Sequence, residues 1–452
     1  MSDWRTPRRV PPSTSSAPPT SAMPRSRRDG SRTLPDMGRT APRWEGRLVR
    51  EFGSKRMKQA AAAAVAVCLL AFPAGAQTLR DAVEGAWRLN PEIRSLEARR
   101  GQAVAQRGAG ESLVPAAPAV TLRHITDMVG RNVGRREYEA EVGVPLWLPG
   151  QGTATVRAAD ALLARTDAEI AARQLAIAGE VRTALWQIAL LERRVELARQ
   201  RLAVARRLEA DTKRSSKAGE TSEADHQLAR GEALAVAAEV RDEELSLEEA
   251  RQAFRTLTGA TVPKATPEPL IGEQPLDRHP ALQAARLGVR SAQAQRQLVD
   301  LTTRDSPEVG VLARKERDVR GERFDTIVGL SMRIPFSVDA VNALKRAEAA
   351  TEVVRSEAEQ ANAERTIETE IRQARLAHQA ATERLSIVRD RAAALKGRLS
   401  IVERARKGGE ISLVEFVRAQ EAAFEAELAR ATAEIQVGAA RARLNQSLGV
   451  LP

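Results

Sequence analysis

Two stretches of helix-forming sequence, residues 150–217 and 338–407, constrain this chain more than anything else in it. At roughly 1.5 Å per residue, a helix of that length reaches about 100 Å, several times the width of an ordinary domain core. No globular core needs such a rod, so the chain must be organised along it. The two rods also end alike, in Lys217-Ala218-Gly219-Glu220-Thr221-Ser222 and in Lys407-Gly408-Gly409-Glu410-Ile411-Ser412.

That likeness runs through the whole chain. Pro91 in Asn90-Pro91-Glu92-Ile93 matches Pro280 in His279-Pro280-Ala281-Leu282 at an offset of 189. Pro145 and Pro335, Gly219 and Gly409, and Gly259 and Gly449 match at an offset of 190. Four landmarks at one spacing read as a tandem duplication, residues 77–259 and 276–449, joined by a Pro-rich linker over 260–275. Each half has the same order of parts. A helix of moderate length (79–108; 276–303) leads into two strands, the rod, a tight turn and a return helix (223–258; 413–448).

The rods carry coiled-coil spacing. Val181, Ile188, Val195 and Leu202 lie seven apart, with Ala184, Leu191, Ala198 and Ala205 as the second row. The later rod has Ile371, His378, Leu385 and Ala392 with Ala374, Ala381, Val388 and Leu395. Small residues in these rows let neighbouring helices approach closely. At the rod tips, Gly219 and Gly409 suit the left-handed residue that ends a helix, and Ser222-Glu223-Ala224-Asp225 and Ser412-Leu413-Val414-Glu415 read as capping boxes opening the next. Basic residues crowd the outgoing ends and acidic ones the incoming starts, as both helix dipoles favour. A well-made helical hairpin accounts for these charges without any further role.

The strands alternate. Tyr138, Ala140, Val142, Val144 and Leu146 share one face against Glu137, Glu139, Glu141 and Gly143. From Phe324, the set Phe324, Thr326, Val328, Leu330, Met332, Ile334 and Phe336 opposes Asp325, Gly329, Ser331 and Arg333. Partner strands around 117–127 and 308–317 alternate less cleanly. Strands of about ten residues, apolar on one face, polar on the other and aromatic at their ends, fit a transmembrane β-barrel, although an amphipathic hairpin on a soluble core shows the same pattern. Four strands cannot close a pore, and an open sheet edge cannot face lipid. A membrane role therefore requires several chains to share one barrel.

Aromatic residues make up only 3% of the chain, too few for a large conventional core and consistent with helices packed through small side chains. The net charge of +12 would suggest nucleic acid if it were spread evenly, but residues 1–76 carry +9 of it. Nucleic acid is therefore not an expected partner. Residues 1–56, rich in Arg, Pro and Ser, read as a disordered extension or a start assigned too early. Residues 57–76 have the basic, apolar and small-residue parts of a secretory signal, with cleavage expected after Ala76. The apolar run from Ala60 to Phe72 is too short for a permanent transmembrane helix. Cys68, the sole cysteine, lies in that run behind Val67 rather than a small residue, so lipidation is not expected and the mature chain should hold no thiol.

Signal peptide, duplicated halves and glycine-bearing hairpin tips together resemble the TolC-like outer-membrane efflux family. The resemblance covers 79–449 and rests on Leu79-Arg80-Asp81-Ala82 followed by Asn90-Pro91, on Val144-Pro145-Leu146-Trp147-Leu148-Pro149-Gly150-Gln151, and on Gly409-Glu410-Ile411-Ser412-Leu413-Val414-Glu415-Phe416 leading to Ala419-Gln420. It implies a homotrimer in the outer membrane of a Gram-negative bacterium. There, long hairpins would form a periplasmic α-barrel beneath a shared 12-stranded β-barrel. It also implies a passive exit duct serving a periplasmic adaptor and an inner-membrane exporter. Gly219, Glu220, Thr221 and Ser222, and Gly409, Glu410, Ile411 and Ser412, are then the adaptor-contact candidates. Glu137, Glu139, Glu141, Asp325 and Arg333 would face the lumen. The strand exit and compact length look more like the heavy-metal branch, while the first tip is more polar than the second.

No catalytic or cofactor signature accompanies these features. His124, His226, His279 and His378 are scattered, without a Cys or His at ligand spacing, and no phosphate loop, zinc-helix motif or nucleophile elbow occurs. His378, on the seam, is expected to be a satisfied interhelical histidine. Enzymatic activity, a cofactor and a dedicated metal site are not expected. Two other readings stay open: a periplasmic coiled-coil adaptor or scaffold with no inserted strands, and a type I secretion duct for protein cargo.

Overall fold

The structure, a computed structural model, describes residues 78–336 and 338–452. The expected extension over 1–56, the secretory signal over 57–76 and Cys68 lie outside the described residues. Among the described residues, no helix is long and apolar enough to cross a membrane.

The chain opens with α1 (Leu79–Leu89) and α2 (Pro91–Gly110). This differs from the single helix expected over 79–108, and the cause is local. Pro91 disfavours the helical conformation in the residue before it, so Asn90 sits extended at φ −70°, ψ 123°. The Asn90 side chain accepts from the backbone N–H groups of Glu92 and Ile93 and starts a second helix. The later repeat breaks for the same reason at His279-Pro280, leaving a short 3-10 turn (Leu276–Arg278) and α5 (Pro280–Leu301).

Between these lie β1 (Ala119–Thr126), β2 (Arg136–Pro145), the rod α3 (Gln151–Lys217) and its return α4 (Glu223–Thr258). After α5 come β3 (Glu308–Arg317), β4 (Asp325–Arg333), the second rod α6 (Asp339–Lys407) and α7 (Leu413–Ser447). The chain is thus mainly helical with one β part. Strand β4 is shorter than the alternation from Phe324 to Phe336 suggested, ending before Ile334-Pro335.

The rods differ in their surroundings. Rod α3 packs against α1, α2, α4, α5 and α7, whereas α6 packs chiefly on α5 and α7. Accordingly Val181, Ile188, Leu191, Val195, Ala198 and Ala205 are all buried in α3, each large one contributing roughly 1.5–3 kcal/mol relative to exposure. In α6 the seam narrows to Ala374, Leu385 and Ala392, while Leu376, Ile387 and Ile401 remain exposed. His378 is half-buried in that seam and its Nε2 has no partner. The expectation of a satisfied histidine does not hold. Small residues set the closest approach: a Cβ at Gly438 of α7 would lie 2.2 Å from Cη2 of Trp186 on α3.

One polar node ties both repeats to the linker. Arg182 of α3, only 2% exposed, grips Glu268 of the linker through Nε at 2.8 Å and Nη2 at 2.7 Å. Its Nη1 donates to Gln446 Oε1 at 2.7 Å and to the Val450 carbonyl at 3.0 Å. Asn445, fully buried, donates to the Pro269 carbonyl at 2.9 Å and accepts from the Ile271 N–H at 3.3 Å.

Candidate functional site: a two-faced sheet and paired hairpin tips

The strands pair antiparallel in the order β1-β2-β3-β4, so β1 and β4 are both open edges. Register decides which side chains share a face. Val120, Val142, Val311 and Leu330 align across all four strands, as do Leu122, Ala140, Ala313 and Val328. This apolar face is open to solvent, with Val120, Leu122, Val142, Val311, Val328, Leu330 and Met332 all exposed. The opposite face carries every strand acid: Glu137, Glu139, Glu141, Glu308, Glu316 and Asp325.

The five strand residues read as lumen-facing, Glu137, Glu139, Glu141, Asp325 and Arg333, therefore lie together on the polar face. They are not equivalent there. Glu137 and Glu139, each 6% exposed, are covered by Arg314 of β3, which reaches Glu137 at 3.0 Å and Glu139 at 2.6 Å. Arg123 of β1 adds a second cation to Glu139 at 3.2 Å. The alternation of β2 marks these two acids as lumen-facing but brings in neither arginine. Alternation in β3 would have found Arg314, since Gly310, Leu312, Arg314 and Glu316 alternate, but Lys315 and Arg317 on the other face hide the pattern. Glu141 accepts from the Ser331 hydroxyl. The two meet over Gly310, where a Cβ would stand 2.5 Å from Ser331 Oγ and 2.8 Å from Glu141 Oε1. Arg333 pairs with Glu308 at 3.7 Å, and Asp325 is exposed.

At the far ends of the rods, both turns have the same backbone. Gly219 (φ 76°) and Gly409 (φ 77°) are left-handed. The N–H of Glu220 bonds Ser215 O at 2.9 Å and that of Gly219 bonds Ser216 O at 3.0 Å; Glu410 to Ala405 O and Gly409 to Arg406 O repeat the pattern at 3.0 and 2.9 Å. These are the paired bonds that satisfy the last helix carbonyls. Ser222 and Ser412 then cap α4 and α7, accepting from Asp225 N–H at 3.1 Å and Glu415 N–H at 3.2 Å. Hydrogen bonds from Gln227 and Ser216 hold the Glu223 carboxyl below its usual range.

Gly219, Glu220, Thr221, Ser222, Gly409, Glu410 and Ser412 are exposed. Ile411 is not: it packs on a cluster of Leu208, Ala229, Val402, Leu413, Phe416 and Ala419 that joins the two hairpins. Arg406 lies over the Phe416 ring at 4.5 Å. Burial lowers its pKa, while Asp211 and Asp225 of the first hairpin oppose that shift. The tips are therefore held side by side by apolar contact. Among the described residues, no group of three or more His, Cys, Asp or Glu could hold a metal ion.

A duplicated pair of rod-length hairpins carrying a four-stranded sheet with one apolar and one polar face defines an outer-membrane channel subunit. The chain belongs to the outer membrane efflux protein family, whose model matches residues 83–260 and 271–450. A curated relative, the cobalt-zinc-cadmium resistance protein CzcC of Cupriavidus metallidurans, is 25% identical over 213 residues, 44% of this chain and 50% of that protein. The chain thus aligns with about half the length of that relative. Among solved structures, CusC superposes with a TM-score of 0.68 at 15% identity, covering 82% of this chain and 92% of that one. VceC of Vibrio cholerae gives 0.66 at 17% identity, covering 82% and 96%. At these identities the likeness establishes the fold.

Proposed function

We propose that the chain is the passive exit duct of a tripartite efflux pump. In this reading three copies each contribute four strands to a 12-stranded barrel, with the polar face inward and the apolar face to lipid. The observation that carries it is the sheet itself. Both edges, β1 and β4, are unpaired, and one broad face is apolar and exposed. An unpaired strand edge in hydrocarbon leaves several costly backbone groups unsatisfied, so only closure with further copies makes the sheet viable there. The exposed stripe of Leu376, Ile387 and Ile401 on α6 supplies the helical counterpart against a neighbouring copy.

The tips Gly219–Ser222 and Gly409–Ser412 then meet the periplasmic adaptor, and an inner-membrane exporter supplies the energy. The duct itself carries out no catalysis and holds no cofactor. Cargo is the finer part of the reading: divalent metal cations, supported by the named role of the cobalt-zinc-cadmium relative and by the acid-rich polar face. Heat-modifiable trimers in the outer-membrane fraction are the expected result, and a soluble periplasmic monomer defeats the duct. Deletion of the gene should sensitise cells to cobalt, zinc and cadmium. Loss of protein secretion with unchanged metal tolerance would assign the duct to protein cargo instead.

A further inference from the structure

The apolar face of the sheet is not uniform along the strands. Each strand changes in the same direction, away from the end where the helices attach. Strand β2 runs Val144, Val142, Ala140, Tyr138, Arg136; β3 runs Val309, Val311, Ala313, Lys315, Arg317; β1 runs Val120, Leu122, His124, Thr126. Strand β4 runs Met332, Leu330, Val328, Thr326, and Phe324 precedes it. The far end therefore gathers three fixed cations and three rings, and no acid occupies this face in any strand.

These groups interlock. His124 stacks on Tyr138 at 4.5 Å, and Tyr138 meets Phe324 at 6.1 Å. Lys315 Nζ lies 5.5 Å and Arg317 Cζ 4.9 Å from the Phe324 ring centre. Arg317 also donates to the Gly134 carbonyl at 3.2 Å. Yet Arg136 and Arg317 stand directly opposite each other across the β2–β3 ladder, a like-charge pairing that costs stability unless an anion relieves it. Among the described residues, Arg136, Lys315 and Arg317 form no ion pair.

We propose that this end of the face binds the phosphorylated headgroup of an outer-leaflet glycolipid of the lipid A type. The assignment rests on the duct reading, which turns the apolar face to lipid. The long helices leave from the opposite end of the strands, which puts the β1–β2 and β3–β4 turns, and the cations beside them, at the outer leaflet. The rings lie at headgroup depth, where aromatic girdles sit. Arg136, Lys315 and Arg317 match the charge of a phosphate, while Val142, Val311 and Leu330 below them accommodate acyl chains.

The test is native mass spectrometry of the full-length protein extracted in detergent, with lipid A, dephosphorylated lipid A, phosphatidylethanolamine or inorganic phosphate added. Lipid A should be retained by the wild type. Combined Arg136→Gln, Lys315→Gln and Arg317→Gln should weaken retention roughly a hundredfold, on the order of one kcal/mol for each cation. Arg123→Gln with Arg333→Gln, on the opposite face, should leave it unchanged. Retention of lipid A by the triple variant within threefold of wild type overturns the proposal. So does equal retention of dephosphorylated lipid, or displacement by inorganic phosphate alone. If the triple variant fails to assemble, Lys315→Gln by itself should still lower retention severalfold, because the Lys315 ammonium makes no hydrogen bond among the described residues. A bimane probe at Leu330→Cys, read with lipid-borne quenchers, separates the two claims. Absence of quenching defeats the barrel reading, whereas quenching with unaltered lipid A retention defeats only the headgroup site.

Discussion

Replacing Arg182 with methionine should loosen the joint between the repeats. The wild-type guanidinium makes four hydrogen bonds: two to Glu268, one to Gln446 and one to the Val450 carbonyl. Methionine fills similar volume but donates nothing. The Glu268 carboxylate, on a side chain only 13% exposed, would keep a single contact, Asn445 Nδ2 at 3.4 Å. Removing one member of a buried ion pair costs about 3–5 kcal/mol because the other charge is left uncompensated. Partial exposure of Glu268 argues for the lower end, about 3 kcal/mol. At roughly 2.1 cal/mol/K of unfolding entropy per residue, a chain of this length should lose about 3 °C in Tm.

Two measurements check this. Thermal scans of the detergent-purified protein at one fixed rate give the shift. Limited trypsin digestion follows the linker, where Lys264 lies exposed in the segment that Glu268 ties down. Cleavage there should speed up in Arg182→Met. Adding Glu268→Met should restore most of the lost Tm, because an apolar pair of similar volume carries no desolvation cost. A single-variant shift under about 1 °C, or a double variant no better than the single, would refute the view that this ion pair holds the linker.

Three further outcomes follow from named contacts. Gly409→Pro, or Glu410→Lys, should abolish efflux-dependent resistance while leaving trimers intact on heat-modifiability gels; unchanged resistance in both variants removes the tip from adaptor contact. His279 is held below its ordinary value near 6.5 by burial. The unfolded chain then binds more protons than the native one between the two values, so its contribution is complete above about pH 6.5 and is lost as pH falls towards the depressed native value. The His279→Gln variant should show a flatter stability profile as pH falls below 6.5. Gly438→Ala should force the Trp186 ring aside at about 1–3 kcal/mol, seen as a lower Tm and altered tryptophan emission, and Trp186→Leu should remove that penalty.

The large features were legible because they are periodic. A seven-residue spacing sustained along Val181, Ile188 and Val195 can describe only a long helix, and a two-residue alternation through Glu137, Glu139 and Glu141 only a strand. The offset of 190 exposed the duplication without any fold knowledge. The breaks at Asn90 and His279 are written just as locally, because Pro91 and Pro280 each disfavour a helical conformation in the residue before them. Arg182 could not be found from its own helix. It follows Val181 directly, off both seam rows, where periodicity expects an exposed polar residue, and its partners Glu268 and Gln446 lie 86 and 264 residues away.

Periodicity also made the two repeats look more alike than they are. The rods α3 and α6 carry similar seven-residue seams, yet α3 is enclosed by five helices and α6 chiefly by two, leaving Leu376, Ile387 and Ile401 uncovered. The seam describes only the stripe facing the hairpin partner; whatever covers the rest of a rod is a property of the assembly. The same logic applies to the sheet. Nothing within one chain can pair the free edges of β1 and β4 or cover Val328 and Leu330. A chain whose helices are well capped and whose repeats are pinned by Arg182 therefore still exposes sheet edges and apolar side chains in quantity. Such surfaces are costly in water, and they are where a subunit of a larger barrel would show its incompleteness. If the isolated monomer proved stable and soluble for days without detergent, that reasoning would fail at its first step.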